Sequence, residues 1–139
     1  MDTVEYQVKE EKNGFVVLDA KGKYKIDLRK RIFDFVIRVV KYLKKFHKSV
    51  INDVIVYQLM KAATSMGANY EEAQGASSRA DFSNKIAISH KESKETNYWL
   101  RVIKSSEIDN SAELEYLIKE SGELRNILGS IAGKVRSKK

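Results

Sequence analysis

The stretch SMGANYEEAQGASSRADF, residues 65–82, indicates where one helix ends and the next begins. Gly75 follows the last residue of a helical repeat, where a left-handed C-terminal cap costs glycine least. Ser78 stands three residues before Asp81, which is close to the spacing of a capping box. We therefore expect GASSR to be a short turn, with a new helix that opens near Arg79.

Gly67 lies inside the first of these two helices, where glycine costs roughly 1 kcal/mol relative to alanine. One explanation is the close approach of a neighbouring helix, or of another protomer, to the backbone at this position. The other is a glycine that is tolerated without a role. The sequence leaves both explanations open.

Apolar residues recur at steps of three and four in four segments, which is the pattern of amphipathic helices. Asp27, Ser78 and Ser111 are suited to cap three of them at the N-terminus. The chain has no proline, which favours long uninterrupted helices. We predict an all-α protein, an antiparallel up-and-down four-helix bundle over residues 27–139 with a short N-terminal extension.

Residues 1–26 have a different pattern. VEYQV and FVVLDA flank a charged segment that contains Asn13-Gly14, and Asn-Gly between apolar runs is a hairpin signal. An isolated hairpin is only marginally stable. We therefore expect this arm to be either a hairpin or a disordered tail.

The composition limits the classes of function. The 139 residues carry a formal net charge of +7, which raises the odds of an anionic partner such as nucleic acid. The absence of cysteine excludes disulfides and thiolate metal sites, and it suits a reducing, cytoplasmic location. No apolar run approaches the roughly 20 residues that span a bilayer, and the N-terminus lacks the apolar core of a signal peptide. We expect no membrane partner.

No catalytic motif is present, and we expect neither an enzyme nor a cofactor. Asn69 and Glu72 share a helix face, and Glu95 sits between apolar residues. They fit either a structural polar cluster that fixes helix register or a paired-carboxylate site, and we favour the cluster. A di-metal bundle would need Glu-x-x-His pairs, which are missing. His90 with Glu92 or Glu95 could form a mononuclear site, but we favour a surface histidine and expect no metal.

Basic residues form the strongest functional signal. They load the first helix and the C-terminal tail, where repeated patches in an oligomer would multiply weak phosphate contacts. The alternative is a solvated lysine face. The candidate nucleic-acid-binding residues are Arg29, Lys30, Arg31, Arg38, Lys41, Lys44, Lys45, Lys48, Lys134 and Arg136, with Lys138 and Lys139 following in the tail.

Residues 64–100 resemble a bacterial family of four-helix-bundle proteins first known from intervening sequences in large-subunit ribosomal RNA genes. The resemblance covers roughly residues 28–130 and leaves out the arm. Gly67-Ala68-Asn69-Tyr70 is similar to the Gly-Ala-Asn-Tyr branch of the family. The other matching positions are Glu72, Ser78, Arg79, Asp81, Phe82, Glu95, Thr96, Trp99 and Leu100.

The resemblance implies an all-α bundle, and some members of the family assemble as ring-shaped homopentamers. It implies no enzyme. One related branch, the accessory protein of diversity-generating retroelements, works with a reverse transcriptase and binds nucleic acid. We therefore expect a non-enzymatic homo-oligomeric scaffold, a pentamer by resemblance, that binds RNA or DNA and has a reverse transcriptase or other protein as a further partner. The alternative is a protein–protein adaptor without nucleic acid.

Overall fold

The computed structural model of the chain describes residues 5–12 and 14–137. This part is mostly α-helical, but the expectation of an all-α fold is too narrow, because a small antiparallel sheet precedes the helices. The elements are strands β1 (Gln7–Glu11), β2 (Gly14–Leu18) and β3 (Lys25–Ile26), and helices α1 (Leu28–Leu43), α2 (Val50–Gln74), α3 (Arg79–Ser105) and α4 (Ala112–Ser137). The four predicted helices are confirmed.

Each helix begins at a side-chain oxygen that accepts a hydrogen bond from a backbone N–H of the first turn. Such a cap satisfies one of the donors that a helix N-terminus leaves unpaired. The predicted caps Asp27, Ser78 and Ser111 are confirmed, and Ser49 serves α2 in the same way. The four bonds run to Asp27 from Lys30 N (3.1 Å), to Ser49 from Asn52 N (3.0 Å), to Ser78 from Asp81 N (3.0 Å) and to Ser111 from Leu114 N (3.2 Å).

The turn between α2 and α3 differs from the prediction in one respect. Gly75 has φ −108° and ψ 23°, so the expected left-handed cap is wrong. The chain leaves α2 through tight turns in which Gly75 N donates to Glu72 O at 3.1 Å and Ala76 N donates to Ala73 O at 3.2 Å. This geometry satisfies the last carbonyls without a positive φ.

The helices share one continuous apolar core. Helix α1 packs against α2 and α4, α2 packs against α3, and α3 packs against α4. Val8 of β1 and Val17 of β2 are also buried in this core. The sheet is therefore part of the folded unit.

Hydrogen bonds also cross between helices inside the core. Ser89 Oγ of α3 donates to Met66 O of α2 at 2.8 Å. Asn97 Nδ2 of α3 donates to Ser121 Oγ of α4 at 2.9 Å. Small polar side chains let the helices approach closely while these buried groups keep hydrogen-bond partners.

The three strands lie in the order β1-β2-β3, and both pairings are antiparallel. In the first hairpin Val8 is opposite Val17, and Glu11 is opposite Gly14. Gly14 has φ +131°, a backbone conformation that other residues rarely adopt. Asn13 of the predicted Asn-Gly turn lies outside the described residues.

Gly67 lies where α2 meets α1. A Cβ atom added at Gly67 would stand 2.9 Å from Cγ2 of Val36, closer than two carbon atoms can pack. The glycine therefore makes room for a neighbouring helix of the same chain, which is one of the two explanations that the sequence left open.

We predict that Gly67→Leu lowers the free energy of unfolding by about 1–3 kcal/mol, because the larger side chain overpacks the α1–α2 contact. Gly133→Ala is the matched control, since nothing lies within 4 Å of a Cβ there. That change should raise stability by up to about 1 kcal/mol through helix propensity. Urea unfolding followed by circular dichroism measures both. An unchanged midpoint for Gly67→Leu would remove the packing role of this glycine.

Candidate nucleic-acid interface

The candidate basic residues of α1 fall into two groups according to their partners. Toward the N-terminal end of the helix, each of the cations is paired with a carboxylate. Beyond Arg38, the lysines have no such partner among the described residues. The ion pairs join Arg29 to Glu71, Lys30 to Asp34, Arg31 to Glu120 and Glu123, and Arg38 to Glu113.

Arg31 is held inside the protein. Its Nε and Nη2 donate to the two carboxylate oxygens of Glu120 at 2.7 Å each. Nη2 also donates to Glu123 at 3.1 Å, and Nη1 donates to the Tyr6 hydroxyl at 3.1 Å. Only 20% of the Arg31 side chain and 10% of the Glu120 side chain are exposed.

The protonation states of this network follow from its contacts. The hydrogen bonds to Glu120 raise the pKa of Arg31, so the guanidinium stays charged. Burial raises the pKa of Tyr6, and the hydrogen bond that its hydroxyl donates to Glu123 adds to this effect. Because these partners occupy its N–H donors, we infer that Arg31 has a structural role and does not contact nucleic acid.

Arg38 is exposed but engaged on two sides. Its Nε and Nη2 donate to the Glu113 carboxylate at 2.7 and 2.8 Å. The guanidinium carbon lies 3.6 Å from the ring centroid of Tyr116, which is a cation–π contact. The hydrogen bond from Arg38 lowers the pKa of Glu113, so this carboxylate stays ionised and keeps the arginine neutralised.

We call Lys41, Lys44, Lys45 and Lys48 the lysine end, because they surround the point where α1 stops at Leu43. All four are exposed, and none forms an ion pair within residues 5–12 and 14–137. Lys41 and Lys45 line a groove of about 570 Å³ together with Phe33, Ile37 and the carboxylates of Asp34 and Glu113. In contrast to the paired cations of α1, the charge of the lysine end is free to meet an anion.

The basic residues of the tail lie in the last turns of α4. Lys134 and Arg136 are exposed, and neither belongs to an ion pair in the described chain. Cations in the last turn also interact favourably with the helix dipole. Lys138 and Lys139 lie outside the described residues.

The expected polar cluster is not assembled. Asn69 Nδ2 donates to the carbonyl of Ser65 at 2.9 Å, within its own helix. Glu72 is exposed and pairs with Lys85. Among the described residues, no hydrogen bond joins Asn69, Glu72 and Glu95, because Asn69 is satisfied within its own helix and the Glu72 carboxylate pairs with Lys85.

His90, the alternative metal ligand, is placed among cations. Burial lowers its pKa first, and the charges of Lys94, Arg136 and Arg125 lower it further. Within residues 5–12 and 14–137, no three His, Asp or Glu side chains are grouped so that they could hold a metal ion. Lys94 and Arg125 were not among the residues predicted from the sequence. The spacing of positions 125, 129 and 136 nevertheless places Arg125, Gly129 and Arg136 on one face of α4.

No helix in the described ranges is long and apolar enough to cross a membrane.

With this geometry established, comparison with known proteins gives the family. A sequence model of the 23S rRNA-intervening sequence protein family matches residues 24–130. The chain belongs to this family. The structure is also similar to the crystal structure of a protein of unknown function from the S23 ribosomal protein family of Bacteroides thetaiotaomicron. The two chains are 33% identical, with a TM-score of 0.67 over 76% of this chain and 97% of that one. No curated protein matches this chain.

Proposed function

We propose that this protein is a non-enzymatic, homo-oligomeric helical-bundle scaffold that binds RNA or DNA through the lysine end. The proposal rests on the difference between the paired cations of α1 and the lysines of the lysine end, which are unpaired within the described chain. The cations near the N-terminal end of α1 are paired with carboxylates, and the four lysines beyond them are exposed with no ion-pair partner among residues 5–12 and 14–137. Lys134 and Arg136 add a second exposed cationic segment at the end of α4.

We further propose an antiparallel up-and-down arrangement of the helices. Consecutive helices pack against each other, and α1 also packs against α4, which closes the circle. The connections are short, as antiparallel neighbours require. In this arrangement the lysine end lies beside the end of α3 and the start of α4, in agreement with the Tyr42 hydroxyl that donates to Asp109 at 2.7 Å.

Binding at the lysine end would be directed at the nucleic-acid backbone. Lysine ammonium groups contact phosphates as point charges and carry no sequence information. Tyr42 and Phe46, which lie among them in the sequence, pack edge to face with ring centroids 5.2 Å apart and belong to the core or its edge. The interaction should therefore be salt-sensitive and nearly independent of sequence.

Self-association is supported by apolar side chains that the single chain leaves exposed. On the first turns of α2 they recur at positions 50, 51, 54 and 57, which is one helix face, and Val50 is 84% and Tyr57 63% exposed. Phe33 and Ile37 are exposed on α1, which packs beside α2. Soluble monomers rarely expose extended apolar patches, so this face suits contact with further copies. An oligomer would repeat the lysine end in every protomer.

For nucleic-acid binding, we predict that Lys44→Gln/Lys48→Gln weakens binding to a single-stranded RNA of mixed sequence and makes the salt slope shallower by about 1–2, because phosphate contacts are lost. Arg29→Gln/Lys30→Gln is the matched control with the same charge change in paired, exposed residues, and it should have little effect. Fluorescence anisotropy over a salt series gives both quantities. Absence of binding at low salt, or binding that is indifferent to salt, would overturn this part of the proposal.

For assembly, we predict that Val54→Glu/Tyr57→Glu lowers the mass in solution toward the 15.9 kDa of one chain, because buried carboxylates would oppose the apolar contact. Tyr24→Glu, another exposed aromatic position outside α2, should leave the mass unchanged. Light scattering after size exclusion measures it. A wild-type protein that already has the mass of one chain would contradict self-association.

The second candidate function is a protein–protein adaptor without nucleic acid, with a reverse transcriptase or another protein as partner. The exposed face of α2 favours it as well, because an apolar helix face serves a different protein as readily as a second copy. Recovery of one stoichiometric protein partner after nuclease treatment, with no retention on heparin, would support the adaptor over the nucleic-acid scaffold.

A further inference from the structure

We propose that His90, Lys94, Arg125 and Arg136 form a second anion-binding surface, on α3 and α4, which takes phosphate groups of a polynucleotide backbone. The identity of the polyanion rests on the proposed function. The site itself rests on the placement of these four side chains.

The site is built on the contact between α3 and α4. His90 and Lys94 are one turn apart on α3, and Arg125 and Arg136 flank Gly129 on one face of α4. A Cβ atom at Gly129 would stand 2.8 Å from Nε2 of His90, so the imidazole lies directly against the α4 backbone. A larger residue at position 129 would push the ring aside, so the glycine lets the imidazole pack on this face of α4.

The charge of this site is not neutralised within the described chain. Lys94, Arg125 and Arg136 belong to no ion pair among residues 5–12 and 14–137, in contrast to the arginines of α1. The charged groups that act on His90 are Lys94 from its own helix and Arg125 and Arg136 from α4, and all of them are cations. Three positive charges around one imidazole repel a metal ion and attract an anion.

Phosphate is the anion that fits these donors. Arginine guanidinium groups match phosphate oxygens with paired N–H donors, and lysine and imidazolium add charge-assisted hydrogen bonds. The chain also carries the lysine end as a separate cationic group, and a polyanion gains from reaching several such groups at once. This favours a polynucleotide phosphate over a free one.

The site should respond to pH. Burial and the three cations lower the pKa of His90, so the free protein holds this imidazole neutral around neutral pH. A bound phosphate would offset the cations and favour the imidazolium. Protonation and phosphate binding therefore support each other, and binding tightens as the pH falls.

The test compares the two histidines of the chain. Anisotropy with a single-stranded RNA should show binding that is about threefold to tenfold tighter near pH 5.5 than near pH 7.5. Because His47 lies beside Lys48 of the lysine end, both proteins compared carry His47→Gln. In that background His90→Gln should abolish the pH step, and the His47→Gln parent should retain it. A step that persists in the double variant, or one that the His47→Gln parent lacks, would overturn the inference.

A second measurement needs no variant at the histidine. In NMR titrations of the wild type, inorganic phosphate and the RNA should each raise the pKa of His90, and Arg125→Gln should reduce both shifts. Salt-sensitive RNA binding with no change at His90 would overturn this inference and leave the lysine end intact. If inorganic phosphate raised the pKa of His90 but the protein bound no RNA, the anion site would be supported. Its assignment to a polynucleotide, and with it the proposed function, would be overturned.

Discussion

The ion pair between Arg31 and Glu120 is the constraint on which the arrangement of the remaining charges depends. It joins α1 to α4 through two hydrogen bonds of 2.7 Å, in a setting where little of either side chain is exposed. Tyr6, just before β1, joins the same guanidinium at 3.1 Å. Because a buried charge without its partner is strongly destabilising, these residues are committed to one another. The cations that are free for a partner molecule must therefore lie elsewhere.

Besides the hydrogen bond from Arg31 to Tyr6, further contacts fix the N-terminal strands to the helices. Val8 and Val17 enter the core, and the rings of Phe15 and Phe82 lie 5.8 Å apart between β2 and α3. Arg79 at the start of α3 pairs with Glu10 of β1. The family match starts at residue 24, so β1 and β2 lie before the matched region. In this chain the helical family core carries an additional hairpin, fixed by apolar and ionic contacts to α1, α3 and α4.

The part of the fold that sequence could predict is local. Asp27, Ser78 and Ser111 were readable as caps because a cap depends on residues three positions away, and the apolar stripes depend on helical spacing alone. The sheet could be predicted only in part. The Asn-Gly hairpin signal was present, but the packing of the hairpin against α4 depends on contacts with residues that are distant in the sequence. The same holds for Gly67, whose role required the position of Val36.

The candidate site was predicted less well, because charge alone does not show whether a cation has a partner. Arg31 and Lys41 look alike in the sequence, yet Arg31 meets Glu120, 89 residues away, and Lys41 meets no carboxylate among the described residues. Asn69 was expected to bridge helices, but a carbonyl one turn back satisfied it first. The site around His90 needed the register of α3 against α4, which no spacing within one helix supplies.

The most direct test of whether Arg31 is structural compares two variants, Arg31→Gln and Lys30→Gln. The second removes the same charge from the neighbouring residue, whose ion pair is exposed and lies within α1. Urea unfolding and RNA binding are measured on both proteins. We expect Arg31→Gln to lower the free energy of unfolding by about 3–5 kcal/mol, and Lys30→Gln to lower it by less than about 0.5 kcal/mol. The RNA affinity of the folded protein should be nearly unchanged in both variants. Equal stability of the two variants, together with weaker RNA binding by Arg31→Gln, would contradict the structural role of Arg31.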